Sequence, residues 1–445
     1  MRIIFCICLL ASILLSTQCD IKNKTGNNLA TDALSIEYPH YDITLKLDPH
    51  TRFIQVDGKL TVPMKQIKGN EMVFLLDSGM QVNKLTFNNV NVYAKDSVLP
   101  KMNYMPAAFK ICSIDKLKMN DETSEFAFSY SGTLSELPPY FANTVNSNWV
   151  EMGLYYPWFP YSESIKHFTY KLNIHIDSSY NTFGLGKKYA QNATQIIECT
   201  FPTNDMVLCA SKDVITESWE TRKNSMNLYY HTLHDSVVGK LQSDLSAIVS
   251  KLGNYFGDEE RTLNVILSKR ERGGGYGRIG GMFLGGFKTE KYFKSNEGYY
   301  RYFAHEFSHM FWHKADANTW EDWLNEGFAE YTALMVVRDL FGDASFAKLI
   351  QAKQEAIANT PPIWGFARSD NSTKEAMQNV ELLLYSKAPV LLYELENKIG
   401  RKPFLSFCNQ LISNEIDNTK DFLSLLGSTE GVETSKWMEE LLKTF

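Results

Sequence analysis

The stretch 305-HEFSHMFWH-313 places three of the chain's nine histidines at intervals of four. On an α-helix, His305 and His309 lie one turn apart on the same face. Both imidazoles can then reach one cation at about 2.0–2.1 Å from each ring nitrogen. Glu306 follows the first histidine and projects beside such a cation, where it can take a proton from water held there. His313 stands a further turn on, roughly 12 Å from His305 along the axis at 1.5 Å per residue, and cannot join them. Two histidines leave the set incomplete, so a third ligand must come from another element.

The next apolar-periodic segment, 319-TWEDWLNEGFAEYTALMVVRDLFG-342, holds the candidates. The pair of segments resembles the aminopeptidase N type of gluzincin zinc metallopeptidases, in which HExxH is followed on the next helix by a glutamate inside a W-L-N-E-G-F-A stretch. Trp323–Tyr331 reproduces that stretch almost letter for letter. The resemblance makes Glu326 the third ligand, with Glu330, one turn on, as the alternative. Sixteen residues separate His309 from Glu326, two fewer than the family usually has. The resemblance implies one Zn2+ on His305, His309 and Glu326, with Glu306 as general base toward a zinc-bound water. The family's oxyanion donor is a tyrosine in a Y-x-K-G context. In "LLLYSKAPVLLYELENKIG" the match is Tyr385, followed by Lys387 and by Ala388 where the family has Gly.

The match weakens at the substrate end. Family members hold a peptide's free α-amine with a glutamate in a G-x-M-E-N strand. The corresponding stretch here is "RIGGMFLGG": Gly280, Gly281 and Met282 fit, Phe283 replaces the Glu and Leu284 the Asn. Such a strand could still pair with a peptide backbone, and Phe283 would favour an apolar group. A second family glutamate, eight residues before Phe-Pro, corresponds to Glu151 in "NWVEMGLYYPWFP". The string "GYGRIG" (Gly275–Gly280) satisfies G-x-G-x-x-G, but it does not open into a helix as a dinucleotide-binding turn must.

Around this centre the periodicity divides the chain. From about Ile36 to Glu217 apolar residues alternate, as in "YDITLKLDP" and "FTYKLNIHID". Near Leu228 the period becomes helical, with helices expected at Tyr299–His313, Trp320–Phe341, Lys348–Ala358 and Lys374–Ile399. The expected fold is therefore α+β: an N-terminal antiparallel β-rich, sandwich-like domain (36–217), then, from the resemblance, a thermolysin-like α/β-to-helical catalytic domain (218–445). The resemblance also implies that the long C-terminal helical domain of larger relatives is missing. Residues 1–19 read as a signal peptide, and "LSTQC" resembles a lipobox with Cys19 as the acylated residue; residues 20–35 read as a polar tether. The expected location is the bacterial periplasm or cell surface, with membrane association only through a lipid on Cys19.

A net charge of −6 without any Lys/Arg-rich run argues against nucleic acid as a partner. Cys199 and Cys209 could close a hairpin in an oxidising compartment. The expected activity is hydrolysis of peptide bonds, as an aminopeptidase acting on short peptides. An endopeptidase or a hydrolase of N-blocked substrates would use the same zinc site. A catalytically silent binding protein is the reading from another class.

Overall fold

The computed structural model describes residues 38–63, 65, 71–92, 108–115, 122–138, 141–270, 274–368 and 373–444. The expected signal peptide, Cys19 and the tether lie outside the described residues. Among the described residues no helix is long and apolar enough to cross a membrane.

The alternating segments form strands because alternation buries one face of each. In His40–Asp48 the buried set is Tyr41, Ile43, Leu45 and Leu47. Eight strands build one large sheet, ordered Lys187–Gln191, Thr194–Thr203, Phe168–His175, His40–Asp48, Phe53–Pro63, Thr123–Thr133, Met80–Phe87, Val90–Asn91. Its pairs are antiparallel except for His40–Asp48 against Phe168–His175, which run parallel. These two strands lie far apart in sequence, and the long excursion between them permits the parallel pairing that a short hairpin forbids. A four-stranded sheet and the pair Glu71–Asp77 and Ala108–Asp115 complete this β-rich half. Cys199 and Cys209 sit on strands of different sheets as separate buried thiols, so the suggested hairpin bridge is not formed.

A five-stranded sheet joins the halves, in the order Ile215–Thr221, Asn224–Tyr230, Arg261–Ser268, Gly281–Gly285, Tyr276–Arg278. The expected boundary at 217/218 falls inside its first strand. Both faces of this sheet are covered. Leu228, Val265 and Met282 pack on the helices, while Tyr229, Ile266 and Phe283 enter the core of the β-rich half. Burial on both faces explains why these strands read as apolar runs rather than as clean alternation.

The helix Asp235–Phe256 crosses over between two parallel strands of this sheet. The helices Asn296–Ser308, Trp323–Phe341 and Asp343–Ala356 follow. Lys374–Leu382, a π-helical turn at Leu383–Lys387, and Ala388–Ile399 then run on from one another. The helix of the histidines ends at Ser308 instead of His313. His309 is its C-cap, and the chain tightens there: the N–H groups of Phe311 and Trp312 both donate to the Ser308 carbonyl.

Candidate metal centre and active site

His305 and His309 project from the end of the helix Asn296–Ser308, and Glu326 comes from the first turn of Trp323–Phe341. Their ligand atoms lie within 4.8 Å of one another. Glu326 Oε2 stands 3.3 Å from His305 Nε2 and 3.7 Å from His309 Nε2. A tetrahedral ion with bonds of about 2.0–2.1 Å separates its ligands by roughly 3.3 Å, so the spacing fits zinc. Oε2 is also buried without a hydrogen-bond donor, as expected of an atom intended for a cation.

Each imidazole is oriented from behind. His305 Nδ1 lies 3.1 Å from Glu330 Oε2, and His309 Nδ1 lies 3.0 Å from the Trp312 carbonyl. Both contacts leave Nε2 facing Glu326, the orientation usual for metal-binding histidines, whose other ring nitrogen is held by a carboxylate or carbonyl. Glu330 thus stands behind His305, while Glu326 faces both rings. Burial opposes a charge on His305, yet Glu326 and Glu330 outweigh it and raise its pKa to about 10. Burial likewise works against Glu326, but His309 and His305 bring its pKa down to about 2. The pocket is built to hold positive charge. His313 Nδ1 lies 2.9 Å from the His309 carbonyl and caps the helix end.

Glu306 is buried beside this cluster. The Tyr302 phenol stands one turn earlier on the same helix, and burial together with the Glu306 carboxylate pushes its pKa up. Sequence reasoning missed Tyr302, although Y-x-x-x-E places both groups on one helix face. Gly277 explains how the edge strand approaches so closely: a Cβ there would lie 2.7 Å from Glu306 Oε2. Tyr385 reaches the cluster from the π-helical turn, and its ring lies 5.6 Å from that of His305. Burial and the Glu326 carboxylate keep this phenol protonated, hence a donor. Gly327 allows the two helices to meet, since a Cβ there would lie 2.5 Å from Ala388 Cβ.

The structure places the proposed substrate residues differently from the motif alignment. Gly281, Met282 and Phe283 lie on an interior strand, hydrogen-bonded on both sides by Arg261–Ser268 and Tyr276–Arg278, and Gly280 is in the turn before it. That strand has no free edge for a peptide. Phe283 is fully buried and stacks on Tyr276 with ring centroids 4.7 Å apart. Among the described residues, the free edge belongs to Tyr276–Arg278. Gly277 and Arg278 line a cleft of about 1040 Å³ together with Tyr155, His309, Glu326 and Arg368.

Glu151 is fully buried, and its four acceptor positions are all taken. Arg270 Nε and the Tyr276 hydroxyl donate to Oε1, each at 3.0 Å. Trp149 Nε1 at 2.9 Å and Ser268 Oγ at 2.5 Å donate to Oε2. No acceptor capacity remains for a substrate amine. Arg278 lines the cleft on this side together with Glu163 and Lys166; it is paired with buried Asp205 at 2.8 Å and lies over the rings of Tyr155 and Tyr276.

Crystal structures of an M1 zinc metallopeptidase from Deinococcus radiodurans share this fold, with a TM-score of 0.67 at 14% identity, covering 92% of this chain and 94% of that one. A mutant M1 zinc metallopeptidase from the same organism, bound to a Tyr-Ser-Ala substrate, gives the same values. A two-domain M1 zinc metallopeptidase mutant bound to L-tryptophan gives a TM-score of 0.66 at 16% identity, covering 92% and 95%. A comparison with curated proteins finds no match. The chain thus has the fold of the two-domain M1 zinc metallopeptidases, and its residues 289–445 match the Peptidase family M1 domain.

Proposed function

We propose that the protein is a zinc metallopeptidase that hydrolyses peptide bonds, with His305, His309 and Glu326 holding one zinc ion. The observation that carries this reading is the convergence of those three donors, with Glu306 beside them and the Tyr385 ring 5.6 Å from that of His305. When bound, zinc supplies Lewis-acid polarisation of the scissile carbonyl and acidifies water. Glu306 accepts the proton of the attacking water and later returns it to the leaving amine. Tyr385 donates its phenolic proton as a hydrogen bond to the oxyanion. The outer edge of Tyr276–Arg278 pairs with the peptide backbone as an added strand.

Removal of N-terminal residues from short peptides is the first reading of substrate choice, supported by the family match at 289–445 and by relatives bound to a tripeptide substrate and to a single amino acid. A second reading keeps the zinc chemistry but drops the free-amine requirement, so that internal bonds or N-blocked peptides are cut. The saturation of Glu151 and the guanidinium of Arg278 in the cleft favour it. Export, with lipid attachment at Cys19, belongs to the same proposal and is supported by the sequence of residues 1–19. Matched peptides with free and acetylated N-termini, digested by the wild-type protein and by Glu306→Gln and read by mass spectrometry, separate these readings. Loss of single N-terminal residues from the free-amine set alone indicates an aminopeptidase. Internal cuts, or equal cutting of the acetylated set, indicate the second reading. No cleavage of any peptide overturns both.

A further inference from the structure

The helical run that carries Tyr385 is irregular for a reason visible in "YSKAP". In an α-helix the Tyr385 carbonyl would accept from the N–H of residue 389. Pro389 has none, and its ring crowds that carbonyl. The chain widens into the π-helical turn Leu383–Lys387. A side chain then meets the carbonyl: Lys353 Nζ, from the helix Asp343–Ala356, donates to it. The same ammonium lies 2.7 Å from Glu330 Oε1, and the other oxygen of Glu330 lies 3.1 Å from His305 Nδ1. Lys353 is only 7% exposed, whereas lysine heads ordinarily stay in water. A buried ammonium is tolerated when it is paired and hydrogen-bonded, as here. Arg301, 3.3 Å from the same Glu330 oxygen, is the more exposed of the two cations.

We propose that Lys353 is a positioning residue that couples the metal ligand His305 to the oxyanion donor Tyr385, so that zinc affinity and turnover depend on one ammonium group. This rests on the metallopeptidase reading above. Lys353 touches neither substrate nor metal. Through Glu330 it fixes the ring of His305, and through the Tyr385 carbonyl it fixes where the phenol points.

The test is Lys353→Met, which keeps the apolar stem and removes the ammonium. Zinc affinity, measured by competition with a chelator, is expected to fall about 10–100-fold, as when other groups that orient a metal ligand are lost. The kcat at saturating zinc is expected to fall on the order of 10²-fold, the effect of a misplacement of about 1 Å, with KM changed less than about threefold. Lys353→Arg should retain more of both. Adding Pro389→Ala to Lys353→Met supplies the missing N–H, and should return part of kcat while leaving zinc affinity low. A purely structural lysine would not produce that split.

Wild-type zinc affinity and kcat in a folded Lys353→Met protein overturn the proposal. Should that variant not fold, Glu330→Gln takes its place. Zinc affinity and kcat falling together support the coupling; weaker zinc binding with unchanged kcat at saturating zinc overturns it. A wild-type protein that binds zinc but cuts nothing overturns the peptidase reading alone, and the affinity measurements still decide the His305 half. A wild-type protein that binds no zinc overturns both.

Discussion

Replacing Arg270 with methionine leaves the Glu151 carboxylate buried without the cation that offsets it. Glu151 is fully buried and Arg270 is 3% exposed at its side chain, with 3.0 Å between the charged groups. Removing one partner of a buried pair costs about 3–5 kcal/mol. The compact unit runs from Glu37 to Phe445. At about 2.1 cal/mol/K of unfolding entropy per residue, roughly 400 residues make each kcal/mol worth about 1.2 °C of Tm. Arg270→Met should therefore lower Tm by about 4–6 °C in differential scanning calorimetry. The double variant Arg270→Met/Glu151→Leu, which replaces the pair by apolar groups, should recover most of that loss. With its carboxylate committed to Arg270, Tyr276, Trp149 and Ser268, Glu151 should not read the substrate. In Glu151→Gln the KM for free-amine peptides should then stay within about threefold of wild type. Two results would refute this reasoning: an Arg270→Met protein with unchanged Tm, or a Glu151→Gln protein whose KM rises tenfold for free-amine peptides and not for acetylated ones. The second would make Glu151 the amine anchor.

Three further outcomes are expected. Tyr385→Phe should lower kcat about 10²–10³-fold with little change in KM, the signature of a donor used only in the transition state; an equal rise in KM with kcat intact would assign the phenol to ground-state binding. Gly327→Ala should cost about 1–3 kcal/mol through overpacking against Ala388, and Ala388→Gly should relieve it; thermal melts of the single and double variants check this, and additive effects would contradict it. Burial, with Lys314 nearby, lowers the pKa of His167 to about 3 from an ordinary 6.5. The unfolded chain therefore binds the extra proton first, and stability is lost as pH falls from about 6.5 toward 3; Tm against pH should fall less steeply in His167→Gln, and parallel curves would contradict the assignment.

The cluster of His305, His309 and Glu326 was legible because helical spacing is local, which puts His305, Glu306 and His309 on one turn, and because Glu326 sits in a stretch that resembles a family motif. Glu330 was legible only as the alternative to Glu326 as third ligand, while its bond to His305 Nδ1 depends on how two helices cross. The β-rich half was legible from alternation. The cleft wall was not. An apolar run such as Gly281–Gly285 cannot disclose whether it is an edge or an interior strand, since strand order is set by pairings remote in sequence. The fate of Glu151 depends on Arg270, 119 residues away, and no local pattern carries that. Lys353 gave no motif signal either, although Pro389, four residues after Tyr385, marked a carbonyl in need of a donor.

The most direct test of the central claim is a zinc titration of the chelator-stripped protein, with cleavage of a peptide substrate followed at each addition. Hydrolysis should rise to a plateau at one equivalent of zinc, and Glu306→Gln should take up the same equivalent while cleaving nothing. Hydrolysis that survives chelation, or a full equivalent of bound zinc with no peptide cut, would contradict the account.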